Sequence, residues 1–337
     1  MKQTKYLFNA GRMSRKDNTL RFTLVDENGN EGKSQYLPIE QLGDLYVFGS
    51  LDANSALYNF LGQEGIAVHF FNYYEHYTGS FMPREYLLAG QMQVEQTKYY
   101  TTPKKRSAIA RRCVEGAANN ILRVLKYYDN RGQDKLMSEA IGTVERLLGS
   151  VPNTEDVPTL MGIEGNIRQT YYGAFDTIVG QTFCMDGRSK RPPQNELNAL
   201  ISFGNMLCYT ACLSTIYHTQ LNPTISFLHE PGARRYSLAL DLAEVFKPIL
   251  VDRLIFRMIN KRQLQPSDFQ AEVGGCVMKE GARKRFVQGF DEQLKETIKH
   301  RVLGRSVSYR HLIKLECYKL QKHLLGLEEY RPFKAWW

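Results

Sequence analysis

The stretch Leu20-Arg21-Phe22-Thr23-Leu24-Val25, followed by Glu27-Asn28-Gly29-Asn30, decides how the first part of the chain folds. Apolar and polar side chains alternate along it, which is typical of a half-buried strand. The Asn-Gly pair favours a hairpin turn, and the return strand is expected to begin at Tyr36. Residues 4–80 are therefore predicted to form a small sheet domain. Further strands are expected at residues 44–48 and 66–71, with a helix near residues 54–61 between them.

The pattern changes near residue 85, where apolar residues begin to recur at a spacing of roughly 3.6. Polar, Pro-bearing stretches at residues 151–158 and 188–195 are expected to be loops within one domain, because amphipathic segments resume on both sides. We therefore predict an α+β multidomain fold. A β-rich domain is expected over residues 1–84, and a mostly α-helical domain over residues 85–337. Helices are expected at residues 85–92, 109–128 and 135–148.

The composition is that of a folded chain with a basic surface. Of its 337 residues 43% are hydrophobic, and 44 Lys and Arg against 35 Asp and Glu give a formal charge of +9. This charge favours a polyanionic partner such as nucleic acid. No apolar run reaches the roughly 18 residues of a membrane helix and no signal-peptide core is seen, so we expect a cytoplasmic protein. The six Cys form no CxxC pair, which favours reduced, mostly buried thiols.

Several nucleotide and metal chemistries lack their motifs. No GxxxxGK[ST] loop and no GxGxxG after a strand is present, so ATP hydrolysis and dinucleotide redox chemistry are not expected. The pair His229-Glu230 resembles the start of a zinc-protease HExxH motif. That motif needs a second His at position 233, which is Ala.

Two acidic residues stand in an otherwise apolar stretch. Asp241 and Glu244 are three positions apart and would share one face of a helix. A buried carboxylate is costly unless it is paired or bound to a cation. Two interpretations stay open from spacing alone: a metal site, or an ion-pair network with the nearby cations Arg234, Arg235 and Arg253.

A third acid, Glu164, is expected at the start of an amphipathic helix. An acid there suits the positive end of the helix dipole. Taken alone, this position indicates a capping residue as readily as a metal ligand.

A set of motifs occurs along the chain in a characteristic order. It comprises Gly162-Ile163-Glu164-Gly165, the run Asn198-Ala199-Leu200-Ile201-Ser202-Phe203-Gly204, His229 ahead of Ser237-Leu238-Ala239-Leu240-Asp241-Leu242-Ala243-Glu244, and Phe246-Lys247-Pro248. With a first hairpin at residues 9–20 and a late region at residues 274–281, this set resembles the CRISPR-associated integrases. That family contains the metal-dependent DNA endonucleases and integrases of spacer acquisition, and the resemblance extends over the whole chain.

The resemblance implies a function and a site. It implies that residues 1–84 serve dimerisation and that the helical domain carries the active site. By position it implies Glu164, His229 and Glu244 as metal ligands, with Asp241 as a neighbouring catalytic acid. The residue types agree, because two carboxylates and one imidazole suit Mg²⁺ or Mn²⁺.

The implied reaction is attack by a spacer 3′-hydroxyl on a phosphodiester of the CRISPR repeat, which needs no ATP because one phosphodiester replaces another. The implied partners are spacer and repeat DNA, a second copy of the chain, and a small ferredoxin-like adaptation protein that bridges two dimers.

Basic residues outside the site are candidates for DNA contact, although a charged run is often only a solvated helix face. The first cluster has no acid within it, and the last begins a basic stretch that continues to Arg310. The candidates are Lys104, Lys105, Arg106, Arg111, Arg112, Lys190, Arg191, Arg234, Arg235, Arg283, Lys284 and Arg285.

Two other functions remain open at this point. One is a general metal-dependent nuclease that acts on branched DNA repair intermediates. The other is a non-catalytic DNA-binding scaffold whose acids only form ion pairs.

Overall fold

The structure is a computed structural model that divides into two compact units, Met1–Tyr86 and Leu87–Trp337. It describes residues 2–72, 74, 76–84, 89–132, 134–190, 192–232, 236–272, 274–300 and 303–336.

Within its described residues, the N-terminal unit contains two four-stranded sheets and one α-helix. One sheet has the order β4-β3-β2-β6 and is antiparallel except for the pair β2 and β6. The other has the order β1-β5-β7-β8, in which only β8 runs antiparallel to its neighbour. The elements are β1 (Gln3–Leu7), β2 (Gly11–Lys16), β3 (Thr19–Val25), β4 (Glu31–Pro38), β5 (Leu42–Val47), β6 (Leu51–Asp52), α1 (Ser55–Gln63), β7 (Ala67–Phe71) and β8 (Tyr77–Phe81).

The predicted hairpin is confirmed as β3 and β4. Leu20 and Phe22 are buried while Arg21 is exposed, as the alternation indicates. Gly29 provides the positive φ that the turn needs, at 83°. The return strand begins at Glu31, five residues earlier than expected, because its first residues pair through the backbone while their side chains stay in solvent.

The C-terminal unit is built mainly from ten helices among the residues that the structure describes. They are α2 (Gly90–Thr101), α3 (Pro103–Gly132), α4 (Lys135–Ser150), α5 (Val157–Gly173), α6 (Phe175–Val179), α7 (Glu196–Tyr217), α8 (Ser237–Lys247), α9 (Arg253–Asn260), α10 (Glu280–Lys295) and α11 (Tyr309–Leu324). A π-helical turn, Pro248–Asp252, joins α8 to α9. The start of the helix predicted at residues 85–92 lies outside the described residues, and α2 begins at Gly90.

Two short hairpins were not expected in this unit. They are β9 (Phe269–Glu272) with β10 (Gly275–Met278), and β11 (Thr297–Lys299) with β12 (Ser306–Ser308). Strands of three or four residues are too short to show a period of two, so the prediction of an almost wholly helical remainder overlooked them.

Helix α7 is largely buried inside this unit. Its 22 residues are long and apolar enough to cross a membrane by length and composition, with a mean hydropathy of 1.4, but 72% of that window is buried inside the protein. It packs against α8. A Cβ at Gly204 would lie 2.4 Å from Val251 Cγ1, so glycine allows the π-helical turn to approach. The apolar length of α7 therefore reflects core packing. Five of the six Cys are buried and all are free thiols, as predicted.

Candidate active site

Three segments contribute the predicted site residues. Helix α5 contributes Glu164 and α8 contributes Asp241 and Glu244, while His229 lies in the loop that precedes α8. Helix α3 packs against both α5 and α8 and so holds the two helices in place. Asp156 caps α5 by accepting a hydrogen bond from Thr159 N at 2.8 Å. Glu164 thus lies about two turns inside α5, and its expected position at a helix start was wrong.

Asp241 is fully engaged by the loop in front of its own helix. Its Oδ2 accepts hydrogen bonds from Phe227 N at 2.7 Å and Leu228 N at 3.0 Å. Its Oδ1 accepts from His229 N at 2.9 Å and lies 2.8 Å from His229 Nδ1. The side chain is only 1% exposed. These contacts describe a residue that fixes the loop and orients the imidazole, and they leave Asp241 no oxygen for a metal.

His229 is held so that Nδ1 faces Asp241, which leaves Nε2 as the nitrogen that could meet a cation. Burial opposes the charged imidazole, but the hydrogen bond with Asp241 and the nearby charge of Glu244 raise the pKa of His229 above its usual value. A carboxylate behind the imidazole is the arrangement that commonly orients a metal-ligating His.

Glu244 is buried between two cationic side chains. Its Oε1 accepts a hydrogen bond from Lys247 Nζ at 2.5 Å, and its Oε2 pairs with the guanidinium of Arg168. Arg168 Nε also donates to Glu164 Oε1 at 2.9 Å. Burial alone would raise the pKa of Glu244, but Arg168 and Lys247 lower it to about 2. One guanidinium therefore bridges the carboxylates of α5 and α8.

The described residues show other ion-pair partners for Glu244 than the three that the sequence suggested. Arg253 lies near the ring of Tyr127, 5.9 Å from its centroid, and Arg234 and Arg235 lie outside the described residues. The actual partners of Glu244 are Arg168 and Lys247. A sequence signal for them existed, because Arg168 is four residues after Glu164 and Lys247 three residues after Glu244, spacings that share a helix face.

Asp252 is a further buried acid that the sequence reasoning missed. It closes the π-helical turn and is 1% exposed. Burial raises its pKa to about 7, even though Arg168 and Lys247 act in the opposite direction. A π-helical turn beside a charged cluster often marks a functional site.

The residues fit a divalent cation by their chemistry. Glu164 and Glu244 lie close enough to share one guanidinium, so one small cation between them could meet both. Two carboxylates and a neutral imidazole suit Mg²⁺ or Mn²⁺. As the side chains stand, the described residues include no group of three His, Cys, Asp or Glu that could hold a metal. The guanidinium of Arg168 lies between the carboxylates of Glu164 and Glu244.

In the folded chain, acidic side chains contact two residues of the first basic cluster, which runs from Lys104 to Arg112. Arg106 pairs with Glu230 at 2.6 Å and donates to Phe227 O at 2.9 Å, so it supports the loop that carries His229. Arg112 pairs with Glu115 at 2.9 Å and also with Glu329. Arg111 donates to Thr154 O at 2.8 Å, and Lys104 and Lys105 are exposed. No acid lies within this run of the sequence, but two of its arginines pair with acids from other parts of the chain or one helical turn away.

Some of the other basic candidates pair with an acid, and others have no acid pairing described. Lys284 pairs with Glu280, and Arg285 pairs with Asp268 at 2.6 Å. Arg283 is partly buried, whereas Lys190 is exposed. Arg191 lies outside the described residues, as Arg234 and Arg235 do.

Known proteins resemble this chain over its full length. The model of the CRISPR associated protein Cas1 family matches residues 5–292. CRISPR-associated endonuclease Cas1 3 of Thermodesulfovibrio yellowstonii is 47% identical over 334 residues, 98% of this chain and 99% of its own. CRISPR-associated endonuclease Cas1 of Fusobacterium nucleatum is 47% identical over 338 residues, 100% of this chain and 98% of its own.

Solved structures give the same result for the fold. A CAS1 protein from Thermotoga maritima has a TM-score of 0.85 at 39% identity, and the match covers 99% of this chain and 100% of that one. A casposase bound to its integration product also has a TM-score of 0.85, with 99% of this chain and 94% of that one covered, but at 18% identity this shows the fold alone. The predicted fold class, a β-sheet region followed by a mostly helical region, is confirmed. Because the family model matches most of its length and relatives match all of it, the chain belongs to the Cas1 family of CRISPR-associated proteins.

Proposed function

We propose that this chain is a metal-dependent DNA endonuclease and integrase that inserts short DNA fragments into a CRISPR array, with Glu164, His229 and Glu244 as its metal ligands. Family membership supports the endonuclease function, since relatives 47% identical over the whole chain are named CRISPR-associated endonucleases. One observation carries the residue assignment: Glu164 and Glu244 converge on the guanidinium of Arg168 although they belong to different helices.

The roles of the individual residues follow from their contacts. Glu164 and Glu244 provide the two carboxylates, and His229 provides Nε2. Asp241 is a positioning residue, because it holds the imidazole through Nδ1 and the loop through three backbone amides. Arg168 and Lys247 keep Glu244 ionised by lowering its pKa. A divalent cation bound there would neutralise charge on the reacting phosphate and lower the pKa of the attacking hydroxyl or water.

The nucleophile determines whether DNA is joined or cleaved. Attack by a 3′-hydroxyl exchanges one phosphodiester for another and joins DNA, whereas attack by water cleaves it. We infer that Mg²⁺ or Mn²⁺ serves either reaction, because the donor set contains no thiolate.

The partners belong to the same proposal. We infer that the β-rich unit makes a homodimer, that spacer and repeat DNA bind, and that a small ferredoxin-like adaptation protein bridges two dimers in the cytoplasm. Basic residues without an acid partner are the best candidates among those predicted for DNA contact. Lys104, Lys105 and Lys190 are exposed and meet this condition within the described chain.

A plasmid assay tests the function. Purified protein is mixed with supercoiled plasmid carrying a CRISPR repeat and with a short duplex that ends in a free 3′-hydroxyl, with Mn²⁺ or with EDTA. We expect joined product with Mn²⁺ and none with EDTA. Cutting without joining, strongest on branched DNA, would favour the nuclease of repair intermediates. DNA binding that is unchanged by EDTA, without any reaction, would favour the scaffold.

A further inference from the structure

Acids in the folded chain neutralise part of the positive charge that was predicted for DNA contact. Arg106, Arg112 and Arg285 each pair with an acid, and Lys284 pairs with Glu280. The chain nevertheless carries a formal charge of +9. Among the described residues, cations without an acid partner include Lys104, Lys105 and Lys190, already proposed for DNA contact, and others that lie outside the predicted clusters.

One segment of the helical unit contains such cations. No acidic residue occurs between Glu296 and Glu316, a stretch that forms the β11–β12 hairpin and the start of α11. Lys299 and Arg305 are exposed and Lys314 is half-buried. Within the part of the chain that the structure describes, none of these three forms a salt bridge with an acid. We call Lys299, His300, Arg305, His311 and Lys314 the basic face.

Lys299 and Arg305 lie close together in the hairpin, because Lys299 pairs in register with Ser306, the residue that follows Arg305. Burial and the charges of Lys319 and His311 lower the pKa of His300. Burial and the charges of Arg305 and Lys314 lower the pKa of His311. Both imidazoles are therefore uncharged near neutral pH, and the positive charge available to a polyanion is that of Lys299, Arg305 and Lys314.

Aromatic rings border the basic face and separate it from the active site. Tyr318 is 40% exposed, and Lys314 Nζ lies 5.7 Å from its ring centroid. Trp336 packs against His300 on one side and Phe333 on the other, at 5.8 and 5.5 Å between centroids. Phe333 in turn stacks on Phe246 of α8.

This chain of rings ends on the far side of the catalytic helix. Phe246 is two residues after Glu244, so the two side chains leave α8 in nearly opposite directions. The basic face therefore lies behind α8 rather than at its carboxylates, and a ligand there would leave the active site open.

We propose that the basic face binds the phosphate backbone of double-stranded DNA that flanks the reacting phosphodiester. The proposal rests on the proposed function, because that function provides a duplex long enough to reach beyond the site. A duplex is favoured over an acidic protein because its phosphates form a dense, continuous row of charge that an unbroken acid-free segment complements.

Two charge-matched variants test the proposal. The first carries Lys299→Gln, Arg305→Gln and Lys314→Gln. The control carries Lys126→Gln, Lys135→Gln and Lys322→Gln, three exposed residues of the same unit that each pair with an acid. Both variants lose three positive charges. Binding of a fluorescent duplex long enough to extend beyond the site is measured by anisotropy at several salt concentrations, and thermal melts confirm folding.

The expected result is a loss specific to the first variant. Its affinity should fall at least about tenfold, and the slope of log K against log salt should decrease by about 2 to 3 units. The control should stay within about twofold of the wild type. Equal losses in both variants would indicate a non-specific charge effect and overturn the proposal.

An unchanged slope in the first variant would also overturn the proposal. If that variant instead loses binding to poly-glutamate, the face belongs to an acidic protein. Mn²⁺-dependent cleavage, measured at saturating DNA, distinguishes failure of this proposal from failure of the proposed function. The first variant should still cleave DNA, whether or not the basic face binds it. If the wild type itself does not cleave, the proposed function is rejected.

Discussion

Replacing Glu244 by Gln separates the two roles that the structure gives this carboxylate. In the folded chain it neutralises Arg168 and Lys247, and the proposal makes it a metal ligand as well. The substitution keeps the size of the side chain and removes its charge. Arg168 and Lys247 then both lose the negative charge of Glu244, so the metal-free variant should be less stable than the metal-free wild type.

The magnitude follows from the pKa of Glu244. Its value of about 2, against an ordinary 4.5, corresponds to about 3 kcal/mol at neutral pH. This agrees with the loss of roughly 3 to 5 kcal/mol that breaking a buried ion pair produces. For a unit of this size the melting temperature should fall by about 6 to 12 °C.

The assay is a thermal melt of wild type and Glu244→Gln, with and without Mn²⁺. Glu145→Gln is the matched control, because Glu145 pairs with Lys126 on the surface and its side chain is 48% exposed. The control should change by less than about 1 kcal/mol. Mn²⁺ at about 100 times its Kd should stabilise the wild type by about 2.7 kcal/mol and leave Glu244→Gln unaffected.

Two results would refute this reasoning. An unchanged or higher melting temperature of Glu244→Gln without metal would mean that the carboxylates behave as a repulsive acidic cluster, which its removal relieves. A Mn²⁺ stabilisation that persists in Glu244→Gln would remove this residue from the ligand set.

Three further outcomes are expected. Asp241→Asn should lower Mn²⁺ affinity and cleavage by about 10- to 100-fold through the orientation of His229, as titration calorimetry and a plasmid assay would measure; unchanged affinity would contradict the positioning role. Asp252→Asn should become progressively more stable than the wild type as the pH rises from about 4 to 7, because a carboxyl with a pKa of about 7 binds its proton more tightly in the folded state. Urea unfolding at several pH values measures this difference, and a constant difference would show that Asp252 is ionised throughout. Single Ala variants of Glu164, His229 and Glu244 should each abolish joining while duplex binding remains, and double variants should add little; joining activity in any single variant would exclude that residue from the unit.

The local patterns of the sequence were enough to predict the division into sheet and helix. Alternation at residues 20–25 and the roughly 3.6-residue spacing after residue 85 reflect which side of each element faces apolar neighbours, and that information is local. The ordered motifs were also sufficient for the family, which the matches over the whole chain confirm. Elements of three or four residues, such as β9 and β11, contain too little of either pattern to be predicted.

Which charges meet was decided only by the tertiary structure. Arg168 and Glu244 are 76 positions apart, and they pair because α5 and α8 both pack against α3. Nothing in the sequence indicated that Arg106 pairs with Glu230, which is 124 positions away. Burial and distance set the strength of an ion pair, and both depend on packing between distant segments rather than on residue spacing. For that reason residue spacing could indicate the local pairs of Arg168 with Glu164 and of Lys247 with Glu244, but only the folded chain revealed that Arg168 also reaches Glu244.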